Sequence, residues 1–412
     1  MSDSQRQSRY PVDRFGLSRP VWLLGWVSFF NDTASELVYP LLPLFLTRVL
    51  GTGAMSLGII EGVAEGANSI LKLVSGWLAD RWRAPRRLVL AGYALSAAVR
   101  PLMGLVTAWP QVLALRFGDR VGKGVRGAPR DAMLAAFADP KLRGRVFSFN
   151  NAMDHAGAVL GPLAASAFLY FAPDSFRALF TLTLIPGAIV LLILLKVPDP
   201  DQRGSDAERS AGESSATRRV AARSEAGARL PHAFYAAMCV ILLFSLGNAS
   251  DAFLLLRLSD LGVAPIWIPL LWSALHVVKV ASSVVGGELS DRFGRRSLIA
   301  LGWLWYAAVY AGFGVFESRT AVIAIFLSYG VYFGLTEGVE KAWVTDLTPA
   351  GRQGTAFGIY NAVLGVGTLA ASLIFGALWS RVSPDAAFLT GAGLALAASV
   401  MLVFVGSASR SE

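Results

Sequence analysis

Apolar runs of about 20 residues follow one another along this chain, each long enough to cross roughly 30 Å of hydrocarbon as a helix. Within a bilayer every backbone N–H and C=O must be satisfied internally, so runs of this length predict α-helices and leave little else open. Composition agrees. Of 412 residues, 54% are hydrophobic and 16% charged, and the mean hydropathy is +0.53. A soluble protein usually carries about a quarter charged residues. The basic start runs straight into a full-length run near Pro20, so no cleavable signal is expected. The net charge of +9 is read as arginines held in cytoplasmic loops rather than as a nucleic-acid surface. The single Cys239 excludes an intrachain disulfide. The expected class is an all-α integral membrane protein.

Twelve spans are read near 20–47, 55–79, 87–108, 110–136, 145–171, 176–197, 232–257, 265–289, 297–316, 320–344, 353–379 and 385–406. This divides the chain into a six-helix half (1–197), a polar linker (198–231) expected to be flexible, and a second six-helix half (232–412). Arginines cluster in alternate loops: Arg81, Arg83, Arg86 and Arg87; Arg143 and Arg145; six in the linker; Arg292, Arg295 and Arg296. The positive-inside rule then places both termini and the linker in the cytoplasm, with the chain in the plasma (cytoplasmic, or cell inner) membrane. The halves also repeat. GWLADRW (76–82) answers GELSDRF (287–293), SELVYPLL (35–42) answers SDAFLLLR (250–257), and PKLRGRVFSFNNA (140–152) answers PAGRQGTAFGIYNA (349–362). A duplication around a cytoplasmic linker suits secondary transporters that rock about a site between repeats.

On these residues the chain resembles the major facilitator superfamily. The second-half loop, Gly287 through Arg296, fits the pattern G-x-L-x-D-R-x-G-R-R at every position. The first-half copy keeps Gly76, Leu78, Asp80 and Arg81, then departs with Arg83-Ala84-Pro85 where a glycine is expected. Gly76, Asp80, Arg81, Gly287, Asp291 and Arg292 are the residues the resemblance assigns to this conformational loop. Span five carries GAVLGPLAAS (157–166), which is similar to the antiporter motif of proton-coupled drug exporters at Gly157, Gly161 and Pro162; Ala165 and Ser166 replace its closing glycines. That resemblance favours export. An ordinary small-residue packing face is the alternative.

The charge at depth carries the chemistry. RFGDRVGKGVRGAPRD (116–131) holds five cationic and two anionic side chains in an otherwise apolar neighbourhood. At 100° per residue Arg116, Arg120, Lys123 and Arg130 fall on one side of span four, with Arg126 at the edge of that arc. Each such charge facing lipid at mid-depth would cost about 2.5–3.5 kcal/mol, so the arc faces protein or water. Arg116, Arg120, Lys123 and Glu65 are the substrate-binding candidates, the cations being suited to a carboxylate or phosphate. Internal pairing with Asp32, Glu36, Glu61, Glu65 and Asp154 is the alternative, and Lys72 and Arg100 add further cations.

Repeat alignment sets Arg130-Asp131 against Glu340-Lys341, with the charge order reversed. Arg130–Glu340 and Asp131–Lys341 pairs are therefore expected as a cytoplasmic gate. Asp154, with His155, has no charged counterpart where Leu364-Gly365 stands, and its depth suits reversible proton binding. Asp32, Glu36 and Asp251 are rival proton-coupling candidates. The sequence carries no phosphate-binding loop, nucleophile elbow or metal-ligand spacing, so an enzyme, a cofactor and a bound metal are not expected. The expectation is a monomeric proton-coupled carrier of a small organic solute, with export favoured. Uptake of an anionic metabolite or metal chelate is the alternative, and a non-transporting solute receptor a remote one.

Overall fold

The computed structural model describes residues 13, 17–81, 85–138, 142–199, 230–349 and 352–404; the side chains of 72–81, 143, 144, 284, 287, 288, 290, 291 and 353 are outside that description. The protein is all-helical, and its helices form twelve spans in two six-helix bundles. Span one runs Arg19–Val38 and continues through short turns to Val49. Spans two to six are Ala54–Arg81, Pro85–Leu105, Trp109–Phe137, Arg143–Phe171 and Phe176–Leu195. Span seven is His232–Gly247 followed by Ala252–Asp260. Spans eight to twelve are Trp267–Phe293, Arg295–Val315, Arg319–Asp346, Gln353–Arg381 and Pro384–Phe404.

Among the described residues, seven of these helices are apolar enough by composition alone to cross a membrane. Spans one, two, four, five and eight fall outside that set. Span four shows why: it holds the whole charged stretch 116–131 on one continuous helix. Outward faces are apolar, with Leu105, Phe171, Leu192 and Phe404 exposed as lipid contact requires.

Breaks in the helices have local causes. Pro40 and Pro43 remove backbone donors, and span one passes there through a 3-10 turn, Tyr39–Leu41, and a π turn, Phe45–Val49. Between spans eight and nine, Gly294 of the loop signature sits at φ +81, a conformation that a Cβ penalises. In the first-half copy Pro85 opens span three, where a missing N–H costs nothing. The side chains of Gly76, Asp80, Arg81, Gly287 and Asp291 lie outside the described residues, as do Lys72 and linker residues 200–229; Arg292 is exposed.

By packing the chain divides into two units, Met1–Leu41 with Leu71–Arg203, and Leu42–Ile70 with Gly204–Glu412. In the first, span one packs on span five and span three on span four. Gly157 and Gly161 lie against Phe29, Thr33 and Glu36, so close that a side chain there would overlap the span-one backbone. In the second, spans eight and ten, and nine and twelve, are the main partners. Residues 42–70, placed with the first half by the repeat, belong here by contact. Gly58, Gly62 and Gly66 rest on Leu369 and Ser372 of span eleven, and Met55 N donates to Ser380 Oγ at 3.1 Å.

Candidate functional site

The charged stretch becomes a buried polar core in the first unit. Arg100 on span three donates from Nε to Asp119 Oδ1 at 2.9 Å, and from Nη1 to both Asn31 O and Asn31 Oδ1 at 3.0 Å. Arg120 Nη1 lies 3.9 Å from Asp119 Oδ2. Arg126 donates to Ser96 Oγ at 2.6 Å and lies over the Tyr93 ring, 4.4 Å from its centroid. Arg116 sits over Tyr39 at 5.4 Å. All five charged groups are at most 7% exposed. Arg126, read at the edge of the arc, is therefore buried in this core together with Asp119, whereas Lys123 is exposed. Ser35, Val38, Val99, Arg100, Met103, Leu115, Arg116 and Asp119 line a small pocket beside this core.

Farther along span four in the same unit, Arg130 donates to Asp131 Oδ1 at 3.1 Å and to Ser28 Oγ at 3.3 Å, and lies 3.8 Å from Asp154 Oδ2. Asn150 donates to that same Oδ2 at 3.2 Å. Asp154 Oδ1 is buried and, among the described residues, receives no hydrogen bond. His155 faces outward, so the expected Asp154–His155 site reduces to Asp154. Asp32 is half-buried and accepts from Asn31 Nδ2 at 2.9 Å; Glu36 is half-buried beside Gly161.

In the second unit Asp251 stands at the break of span seven. Its Oδ1 accepts from Tyr329 OH at 2.7 Å, and its Oδ2 lies 3.4 Å from Lys279 Nζ. Glu61 is fully buried and accepts from Ser250 Oγ at 3.0 Å; Glu65 accepts from Asn68 Nδ2 at 3.2 Å. Glu340, a gate candidate, has partners in its own unit. It is buried in the bundle and accepts from Trp303 Nε1 at 3.0 Å and Tyr360 OH at 3.2 Å, while Lys341 pairs with Glu337 one turn earlier at 3.5 Å. Each gate candidate is thus paired within its own unit.

Comparison with known proteins identifies the family of this membrane bundle. The sequence profile described as Major Facilitator Superfamily matches residues 21–276 and 237–412. The chain belongs to this superfamily. It is 33% identical over 395 residues to an uncharacterized MFS-type transporter of Methanocaldococcus jannaschii, covering 94% of this chain and 95% of that one. A cis,cis-muconate transport protein of Acinetobacter baylyi is 22% identical over 335 residues, covering 80% and 78%. Among solved structures, a POT family transporter in complex with 5-aminolevulinic acid superposes with a TM-score of 0.78 at 12% identity, covering 97% and 98%, a likeness of fold. As a member of the superfamily the protein is a multi-pass membrane transporter of small molecules and not an enzyme.

Sequence reasoning missed Lys279 and the break in span seven, and put Arg126 at the edge. A lone lysine inside the apolar run HVVKVASSVV (276–285) was the available signal for Lys279. Among the described residues no group of three His, Cys, Asp or Glu side chains is placed to hold a metal ion.

Proposed function

We propose that this transporter moves a small organic anion by alternating access, coupled to protons, from the plasma membrane with both termini cytoplasmic. The observation that carries the reading is the buried arginine core of span four beside its pocket. Guanidinium groups recognise carboxylate and phosphate by paired hydrogen bonds, and in a low-dielectric interior that attraction is far stronger than in water. Arg116 borders the pocket and is the first anion ligand; Arg120 and Arg126 set the field around it. The muconate carrier among the relatives supports an anionic cargo. Asp154 is the proton carrier, favoured over Asp32, Glu36 and Asp251 by its buried oxygen with no hydrogen-bond partner.

Export is the second reading, supported by the span-five motif: Gly157 and Gly161 pack on span one beside Asp32 and Glu36, where a hinge would act on carboxylates. The alternating motion is proposed to part residues 42–70 from span eleven and to re-pair Arg130 and Asp131 with Glu340 and Lys341.

The test is solute flux in reconstituted vesicles under an imposed pH gradient, screened over organic acids and cationic drugs. Arg116→Gln is expected to abolish anion flux, and Asp154→Asn to leave counterflow intact while removing the response to the gradient. Transport of cationic drugs alone overturns the anion reading. The sign of the gradient that drives accumulation separates uptake from export.

A further inference from the structure

Span seven stops at Gly247 and resumes at Ala252, leaving Asn248, Ala249, Ser250 and Asp251 non-helical inside a membrane span. Irregular backbone at that depth is tolerated only where protein buries it or where it lines a cavity. Here the freed groups are met locally. Tyr306 OH donates to Gly247 O at 3.0 Å, and Ser250 Oγ accepts from Ala252 N at 3.3 Å. The break presents Asp251 to spans eight and ten.

Its partners are unequally committed. Asp251 accepts from two donors, a short bond from Tyr329 OH and a long one, 3.4 Å, from Lys279. An ammonium has three N–H donors. Among the described residues the Lys279 ammonium makes this one hydrogen bond, and it lies beside two aromatic rings: Phe333 with its centroid 3.6 Å from Nζ, and Trp272 at 5.1 Å. Cation–π contact holds an ammonium in place without consuming the strong acceptor geometry that a carboxylate offers. Lys279 therefore keeps capacity for a second anion, and Asp251 keeps Tyr329 if Lys279 turns away.

We propose that Lys279 is a carboxylate ligand for the cargo, that Phe333 and Trp272 receive the apolar or unsaturated body next to that carboxylate, and that Asp251 is a resident competitor which the cargo displaces. The assignment rests on the reading that the cargo is an organic anion. It adds a subsite in the second unit, and it defines the cargo class as small acids whose carboxylate adjoins a flat or apolar group. Asp251 holds Lys279 between cycles, so the site is never an uncompensated buried cation.

The two charged residues must then act in opposite directions, which a merely structural ion pair would not do. The measurement is the KM for labelled benzoate and cis,cis-muconate with full-length protein in vesicles. Lys279→Gln is expected to raise KM by about tenfold or more, the loss of one charge-assisted hydrogen bond. Asp251→Asn removes the competitor and is expected to lower KM several-fold. The swapped pair Asp251→Lys with Lys279→Asp preserves an ion pair and is expected not to restore flux. An unchanged KM in Lys279→Gln, a raised KM in Asp251→Asn, or rescue by the swap each overturns the assignment. Should Lys279→Gln fail to insert, Asp251→Asn alone decides by the direction of its KM. If wild type moves neither acid, the anion reading falls and this subsite with it. If wild type moves them, Arg116→Gln stops them and Lys279→Gln changes nothing, only the subsite falls.

Discussion

Replacing Asp119 with alanine is the most demanding perturbation of the polar core. The carboxylate accepts from Arg100 at 2.9 Å and lies 3.9 Å from Arg120, with side-chain exposures of 6% for Asp119 and 8% for each arginine. At an effective dielectric of about 20, a unit pair 4 Å apart is worth about 4 kcal/mol. Removing one partner of a buried pair typically costs about 3–5 kcal/mol, because the cation left behind is neither solvated nor neutralised. We therefore expect Asp119→Ala to lose about 3–5 kcal/mol. The double variant Asp119→Leu with Arg100→Leu removes both charges and is expected to recover much of that loss, since apolar replacement of a buried pair is often close to neutral. The assay is reversible SDS unfolding of purified protein, completed as a double-mutant cycle with the single variants Asp119→Leu and Arg100→Leu. A single Asp119→Ala loss below about 1 kcal/mol, or a cycle with no coupling, would show that the core is solvated.

Three further outcomes follow from packing and hydrogen bonding. Gly161→Val places methyl groups against the span-one backbone at Thr33 and is expected to cost about 1–3 kcal/mol and to slow flux; wild-type melting and flux would refute the close contact. Gly58→Leu, which meets the Ser372 carbonyl, is expected to prop span two away from span eleven and to make Ser372→Cys more reactive toward a membrane-impermeant thiol reagent; unaltered labelling would count against it. Glu340→Ala strands Trp303 Nε1 and Tyr360 OH and is expected to cost about 1–3 kcal/mol for each donor left unsatisfied, whereas Trp303→Phe costs about 0.5–1.5 kcal/mol, both read by the same SDS titration.

The helices were legible because hydropathy is a local property: a run of bilayer length fixes a span with no knowledge of its neighbours. The loop signature around Gly294 was legible as a pattern, and the structure adds that this glycine sits at φ +81. That the charges at depth face protein or water rather than lipid was legible through their insertion cost alone. Their partners were not. Helical angles put Arg126 at the rim, yet Tyr93, Ser96 and Asn31 from two other spans draw it into the core. Repeat symmetry matched Arg130 to Glu340 by position, but it does not name the neighbours each side chain meets in this conformation. Trp303 and Tyr360 took Glu340 inward, and Asp131 and Asp154 took Arg130.

The sequence by itself determined that the chain is a twelve-span duplicated membrane protein whose inner helices carry charge, because bilayer thickness, backbone satisfaction and the cost of burying ions act on each segment separately. Only the tertiary structure decided which cation meets which carboxylate, that span seven breaks beside Lys279, and that residues 42–70 pack with span eleven. Those depend on distances of a few ångströms between segments far apart in the chain, where Coulomb and hydrogen-bond energies change by kilocalories and hydropathy does not change at all.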